Sequence, residues 1–309
     1  MTFNPQHVGL YFTHEHIQVA RSERDKEPFR AAFLYLIDRE QTGAQGAQWC
    51  GLRYRFEGDD RAAEQAHEAL LKQIEMPITE DETYLTSVAK TVMLTQTFEM
   101  VRDHPSFDYN AQVRFLNTLQ ERVNALSTSP YKDTQVENLW MALLVMSAGI
   151  ALEREEIFTL GVEVFQRTIR DDVRPRGFMT KAVEGRDGGS LYRQILSASA
   201  LVLMAEAAAH AGVDLWSYAV RGVSVTTAAV YPIYYFYTPE KWEWDEGISV
   251  DEAQMLFRHY GGYLEMVNRR TRFKDLKPLL EDLRPIYDPH GGGLTTLTHG
   301  VALKRGLFG

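Results

Sequence analysis

Residues 139–152, LWMALLVMSAGIAL, form an apolar run the length of a helix with no polar stripe along it. A helix that is hydrophobic all round has to be covered all round. The run ends in Glu153-Arg154-Glu155-Glu156, and Ile157, Leu160, Val164 and Phe165 then recur at helical spacing up to Ile169, which predicts a second helix needing cover on one face only. The same unit appears earlier: Trp49 to Phe56 leads into Gly58-Asp59-Asp60, and Ala63, Ala66, Leu70 and Ile74 follow at helical spacing. An inner apolar helix, a tight acidic turn and a half-polar outer helix make one pair. Such pairs close into an (α/α) toroid or stack into a solenoid. The period is too irregular for a short tandem repeat, and no Pro/Ser/Gly-rich or highly charged linker divides the chain. The reading is all-α: an (α/α) toroid, or incomplete barrel of antiparallel helix pairs, forming a single domain over residues 1–309.

Other signals agree with helices. Thr79-Glu80-Asp81-Glu82 and Ser249-Val250-Asp251-Glu252 read as capping boxes, and Thr238-Pro239 as an N-cap followed by proline at the first helical position. After Pro28, residues Phe29, Phe33, Leu36 and Ile37 keep helical spacing. Strand-like alternation is scarce; Tyr231 to Tyr237 reads either as a strand or as an aromatic-rich connection.

Several function classes drop out. A net charge of −9 argues against broad nucleic-acid binding. The most apolar stretch, Ile195 to Ala205, is too short to span a bilayer, and the N-terminus lacks the pattern of a signal peptide. A single cysteine, Cys50, precludes an intrachain disulfide and suits a reducing compartment, so a cytoplasmic location is expected. The glycine-rich segments Glu184–Ser190 (EGRDGGS) and Asp288–Gly293 (DPHGGG) lack the Lys-Ser/Thr of a phosphate loop. No HExxH or CxxC is present, and His14 and His16, two apart, point to different helix faces; no metal or cofactor is expected. His14-Glu15-His16 reads as a solvated helix start capped by Thr13.

Candidate chemistry gathers in two places. The densest cationic segment runs from Arg170 through Arg174, Arg176, Lys181 and Arg186 to Arg193, in and beside an irregular stretch between strong helices. Guanidinium groups bind carboxylates in bidentate fashion, as a uronate sugar requires; pairing with Asp171, Asp172, Glu184 and Asp187 is the alternative. Tyr192 stands beside Arg193 and can act as base or acid where a cation lowers its pKa. The second place is aromatic, Tyr231 to Tyr237 followed by Trp242-Glu243-Trp244-Asp245. Tyr235, Trp242 and Trp244 form either a saccharide platform or a packed connection. Glu243 and Asp245 are conceivable as the paired acids of a glycosidase.

Residues Gln135 to Tyr218 resemble the central part of the alginate lyase family, polysaccharide lyases of the (α/α) toroid type. The resemblance rests on ENLWMALLVMSAGIALEREEIFTLGVEVFQRTI, RGFMTKAVEGRD and ALVLMAEAAAHAGVDLW, with GLYFTHEHIQVAR and GGGLTTLTHG at the two ends. It implies an acidic oligo- or polysaccharide substrate, catalytic roles for Tyr192 and Arg186, and substrate contacts from Trp140, His14, Arg193 and Lys181. The catalytic motif departs from the family. With Trp140 aligned, the family's Asn-Asn-His reads Gln135-Val136-Glu137, so Glu137 stands where a histidine assists proton removal or carboxylate neutralisation. Thr134 to Glu137 is also a capping box. An ionised Glu137 would repel a uronate carboxylate, so it helps only when protonated or as a distant base.

The leading reading is a divergent lyase cleaving a uronate-containing glycan by β-elimination. In it Arg186 or Arg193 neutralises the carboxylate and Tyr192 acts as base and acid. The alternatives are a helical-toroid glycoside hydrolase using Glu137, Glu243 or Asp245, and an inactive saccharide- or protein-binding member of the fold.

Overall fold

The computed structural model describes residues 2–79, 81–129, 134–185, 187–245 and 247–303. Helices α1 (His14–Ser22) and α2 (Phe29–Asp38) precede three inner–outer pairs. These are α3 (Gly43–Glu57) with α4 (Asp60–Glu75), α5 (Tyr84–Val101) with α6 (Tyr109–Ser127), and α7 (Gln135–Ala151) with α8 (Glu155–Asp171). The short α9 (Thr180–Val183) leads to the long inner helix α10 (Ser190–His210). A hairpin of β1 (Ala219–Val220) and β2 (Val223–Ser224) precedes α11 (Val225–Val230), and two 3₁₀ turns cover Tyr231–Phe236 and Pro239–Lys241. Then come α12 (Val250–Tyr260), α13 (Tyr263–Thr271), α14 (Leu276–Leu283), the hairpin of β3 (Tyr287–Asp288) and β4 (Gly293–Leu294), and α15 (Thr295–His299).

The inner helices α3, α5, α7 and α10 lie side by side in that order, and the ring runs on through α13 and α15 to α1, which packs on α3. This is an all-α toroid, and its two antiparallel hairpins are only two residues deep on each strand. Inner and outer helices differ as their sequences dictate. Along α7 nearly every residue from Leu139 to Ala151 is buried, whereas α8 buries Phe158, Gly161, Phe165, Thr168 and Ile169 and turns Leu160 to solvent. Buried hydroxyls on inner helices bond back one turn: Thr91 to the Ser87 carbonyl, Thr95 to Thr91 and Ser147 to Leu143. The α7–α8 crossing is tight enough to need glycine. A Cβ at Gly149 would strike the Phe158 backbone, and one at Gly161 would meet the Ala142 carbonyl oxygen at 2.9 Å.

The caps are mostly where the sequence puts them. Gly58, left-handed at φ 74°, ends α3, and Asp59 then accepts from the Ala62 amide to start α4. Thr134–Glu137 forms a reciprocal box, Thr13–His16 forms another, and Ser249 caps α12. Thr79 is displaced: α5 begins at Tyr84 with Thr83 as its cap, and Thr79 only closes a turn onto the Glu82 amide, with Glu80 outside the described residues. The aromatic segment from Tyr231 is a 3₁₀ turn and not a strand, because Pro232 fixes φ and removes a ladder donor. Cys50 is half-buried against Gln65, and burial raises its thiol pKa, as for an inert packing residue. Among the described residues no helix is long and apolar enough to cross a membrane.

Candidate active site

Tyr192 sits in the first turn of α10, and that turn is fixed from outside the helix. Asp245 accepts from the Gly188 amide (3.0 Å), the Ser190 amide (2.7 Å) and the Ser190 hydroxyl. Trp242 Nε1 donates to the same hydroxyl at 2.7 Å. A carboxylate on the free amides of a helix start is where such a charge is most stabilising. The Tyr192 ring packs edge-on against Tyr260, the last residue of α12, at 5.4 Å. Opposite stands Trp140 of α7, 2% exposed, with Nε1 donating to the Leu196 carbonyl of α10.

The far wall is the β3–β4 turn. Asp288, 2% exposed, accepts from the Gly291 amide at 2.8 Å and from the Gly262 amide at 3.4 Å. Two buried glutamines hold the turn down. Gln48 Nε2 donates to the Pro289 carbonyl and to Gln96 Oε1, and Gln96 Nε2 donates to the Gly292 carbonyl, each at 2.9 Å. Gly292 and Gly293 take φ of 107° and 84°, and a Cβ on Gly291 would overlap the Asp288 carboxylate. The glycine run thus serves to bring His290 and Asp288 to the inner end of α10. Together Tyr192, Tyr260, Trp140, Asp288 and His290, with Leu85, Thr86 and Ala89 of α5, line a cavity of about 100 Å³.

Burial sets the protonation states. It pushes the Tyr192 phenol up to about 12, with Tyr260 adding to the effect, so the hydroxyl is neutral. It pushes the His290 imidazole below its ordinary value, against a weaker pull from Glu82. It raises the Asp288 carboxyl to about 6, opposed by the amides it accepts from. The cavity therefore holds a protonated phenol and a neutral imidazole at neutral pH. No arginine or lysine among the described residues lines it.

The other residues singled out in the sequence are spread around the ring. Arg193 points away from the cavity. Its guanidinium grips Asp187 through two bonds of 2.8 and 2.9 Å and also the carbonyls of Ala182 and Glu184, which holds the Asp187 carboxyl down at about 2. Among the described residues no cation lowers the Tyr192 pKa, contrary to expectation. Arg186 lies outside the described residues. Glu137 accepts from the Thr134 amide and hydroxyl, the capping role, while burial raises the pKa of the nearby Tyr84 and the Glu137 charge adds to it. Lys181 is exposed and lines an outer groove with Arg167, Asp171 and Asp172. Tyr235 and Trp242 are buried, and half-buried Trp244 leans on Phe178; this is a packed connection. Glu243 is paired with Arg176 at 2.6 Å and Asp245 is spent on α10, so the two do not face each other across a cleft as glycosidase acids. His14 is exposed at the start of α1.

Tyr260, Asp288 and His290 were not foreseen. The sequence signal for the latter two is the run DPHGGG, a forced turn carrying an acid and a histidine, which lacks a phosphate loop's residues and leads into the family-like GGGLTTLTHG.

The fold has relatives. The alginate lyase family profile matches residues 38–242. The chain belongs to the alginate lyase family. Its fold is similar to that of alginate lyase A1-III from Sphingomonas species A1, with a TM-score of 0.69 at 16% identity over 97% of this chain and 85% of that one. A variant of alginate lyase A1-III complexed with a tetrasaccharide is similar at TM-score 0.69 and 18% identity, over 97% and 85% of the two chains. An alginate lyase from Bacteroides ovatus is similar at TM-score 0.68 and 12% identity, over 94% and 98%. No curated protein sequence matches significantly. For an alginate lyase family member the boundary of the match is informative: Trp140 and Tyr192 fall inside it, and Tyr260, Asp288 and His290 beyond its end.

Proposed function

We propose that this alginate lyase family member cleaves a uronate-containing polysaccharide or oligosaccharide by β-elimination in the cavity at the start of α10. The observation that carries the reading is that a protonated phenol, Tyr192, and a neutral imidazole, His290, share one cavity walled by Trp140. β-Elimination removes the C5 proton of a uronate and protonates the departing C4 oxygen. A neutral imidazole can take the first proton, and a phenol held at about 12 can give the second. His290 thereby supplies from the β3–β4 turn the base that the family's histidine position, here Glu137, does not. Tyr192 starts as the neutral phenol and so enters as the acid, and the phenolate it leaves regains a proton from solvent as the His290 imidazolium releases the C5 proton before the next turnover. Neutralising the uronate carboxylate falls to Arg186, six residues before Tyr192 in the chain, whose neighbours Glu184 and Asp187 are gripped by Arg193.

The test is an ultraviolet scan of the purified protein on alginate, other polyuronates and their oligomers. Elimination creates a conjugated C4–C5 double bond that absorbs, whereas hydrolysis creates reducing ends alone. A rising absorbance that is lost in Tyr192→Phe and in His290→Asn supports the assignment. Full turnover in His290→Asn removes His290 from it. Reducing ends without absorbance would overturn the lyase reading altogether.

A further inference from the structure

At the opposite end of α10 lies a second cluster of ionisable groups that the lyase reading does not use. Glu206 and His210, four residues apart on one face of α10, meet His16 of α1 and His299 of α15. Glu206 stands 14 residues beyond Tyr192, roughly 21 Å along the helix axis.

We propose that His16, Glu206 and His299 form a buried binding site for one divalent transition-metal ion of the zinc class, with His210 placed to complete it. One donor atom from each of the first three lies within 4.8 Å of the others. His16 is 7% exposed, and Glu206 and His299 are each 1% exposed. A tetrahedral zinc with bonds of ~2.1 Å sets its donors ~3.4 Å apart, so these side chains need draw together only by about 1 Å.

The ring nitrogens give the independent sign. His16 Nδ1 is engaged by Thr13, whose hydroxyl lies at 3.0 Å and whose amide donates to it at 3.3 Å. His299 Nδ1 is engaged by the Thr298 hydroxyl at 2.7 Å. Each ring is thus held by one nitrogen, and its other, Nε2, is buried with no hydrogen-bond partner among the described residues. Orienting one nitrogen of a histidine so that the other can ligate is how metal sites are built. Ligation through His16 Nε2 places the ring proton on Nδ1, facing the Thr13 hydroxyl, at the expense of the weaker amide bond. Glu206 is oriented likewise: Oε2 accepts from Trp216 Nε1 at 2.9 Å and from Arg270 Nε at 3.1 Å. Oε1 faces His210 Nε2 at 3.3 Å and His299 Nε2 at 3.6 Å.

Arg270 also reaches Oε1 at 3.0 Å, and Arg269 stands close enough to act on His16. These two positive charges weaken binding relative to a His-His-Glu site with a free carboxylate. They do not remove it, because the nitrogen donors are uncharged ligands and carry the selectivity for a borderline-soft ion over magnesium or calcium. The ion would clamp α1 and α15, from the two ends of the described chain, onto the inner helix.

The test uses the full chain stripped with a chelator and titrated with zinc, and separately with cobalt. The expected result is one ion per chain, a rise in Tm on adding zinc, and a cobalt spectrum of low-symmetry nitrogen–oxygen ligation. His16→Gln and His299→Gln are each expected to weaken binding beyond the ~10–100-fold that loss of a supporting hydrogen bond costs. Absence of stoichiometric binding in the wild type would overturn the proposal and leave a hydrogen-bonded cluster. So would equal binding in the folded His299→Gln variant. If a glutamine variant fails to fold, the wild-type cobalt spectrum decides, since it reports the ligands directly.

Discussion

Tyr192 and His290 carry the two proton transfers of the proposed elimination. The sequence marks Tyr192 because it opens a helix beside a run of arginines, but Arg193 is turned onto Asp187 and burial raises the phenol pKa. His290 was missed because a turn's contribution to a site depends on what holds it, here Gln48 and Gln96 from more than 190 positions away. The two roles predict losses of the same order. Tyr192→Phe and His290→Asn should each lower kcat by about 10²–10⁴-fold, with far smaller effects on KM, in initial rates of absorbance. A base whose pKa is depressed stays neutral to lower pH. The acid limb of kcat/KM should therefore fall below pH 6.5, the ordinary imidazole value. Asp288 gives a stability test of opposite character. Its folded pKa of about 6 exceeds the ordinary 3.8, so the native state keeps a proton that the unfolded chain releases. Stability contributed by this group falls as pH rises from about 4 to about 6, by ~3 kcal/mol at most. Asp288→Asn should flatten that slope in urea midpoints measured across the window.

At the level of helices the sequence was read more fully, because amphipathicity and caps are local. The pairs α3–α4 and α7–α8 lie where the apolar runs and acidic turns placed them. The errors came where a neighbour outbid local chemistry. Thr83 took the cap expected of Thr79, and Asp245, offered as a glycosidase acid, became the partner of the α10 amides 55 residues away. Removing that partner in Asp245→Ala should cost ~1–3 kcal/mol, since buried amides and a hydroxyl lose their acceptor. It should also lower lyase rates through the position of Tyr192, and a chemical-denaturation curve run beside a kinetic assay separates the two effects. The α7–α8 crossing yields a prediction whose sign is informative. Alanine is the better helix former by ~1 kcal/mol, yet Gly149→Ala should destabilise by ~1–3 kcal/mol, because its methyl meets the Phe158 backbone. A lowered Tm would show that helix approach, and not propensity, governs that position.

At the scale of the whole molecule, the toroid was legible and its closure was not. Helical period says that a helix needs cover; it does not say that α15 will pack on α1 and α2, or that the β3–β4 turn will sit on α3. Those contacts join residues far apart in the chain, such as Gln48 with Pro289 across 241 positions. Joining distant segments costs the most chain entropy, so such contacts form after the helical hairpins, whose partners are adjacent in sequence. Pulse-labelled hydrogen exchange should accordingly protect the amides of α7 and α8 before those of residues 291–294. For a chain emerging from synthesis, this order means that Tyr192 is in place before His290 can reach it, and that the proposed site is complete only once the β3–β4 turn has docked.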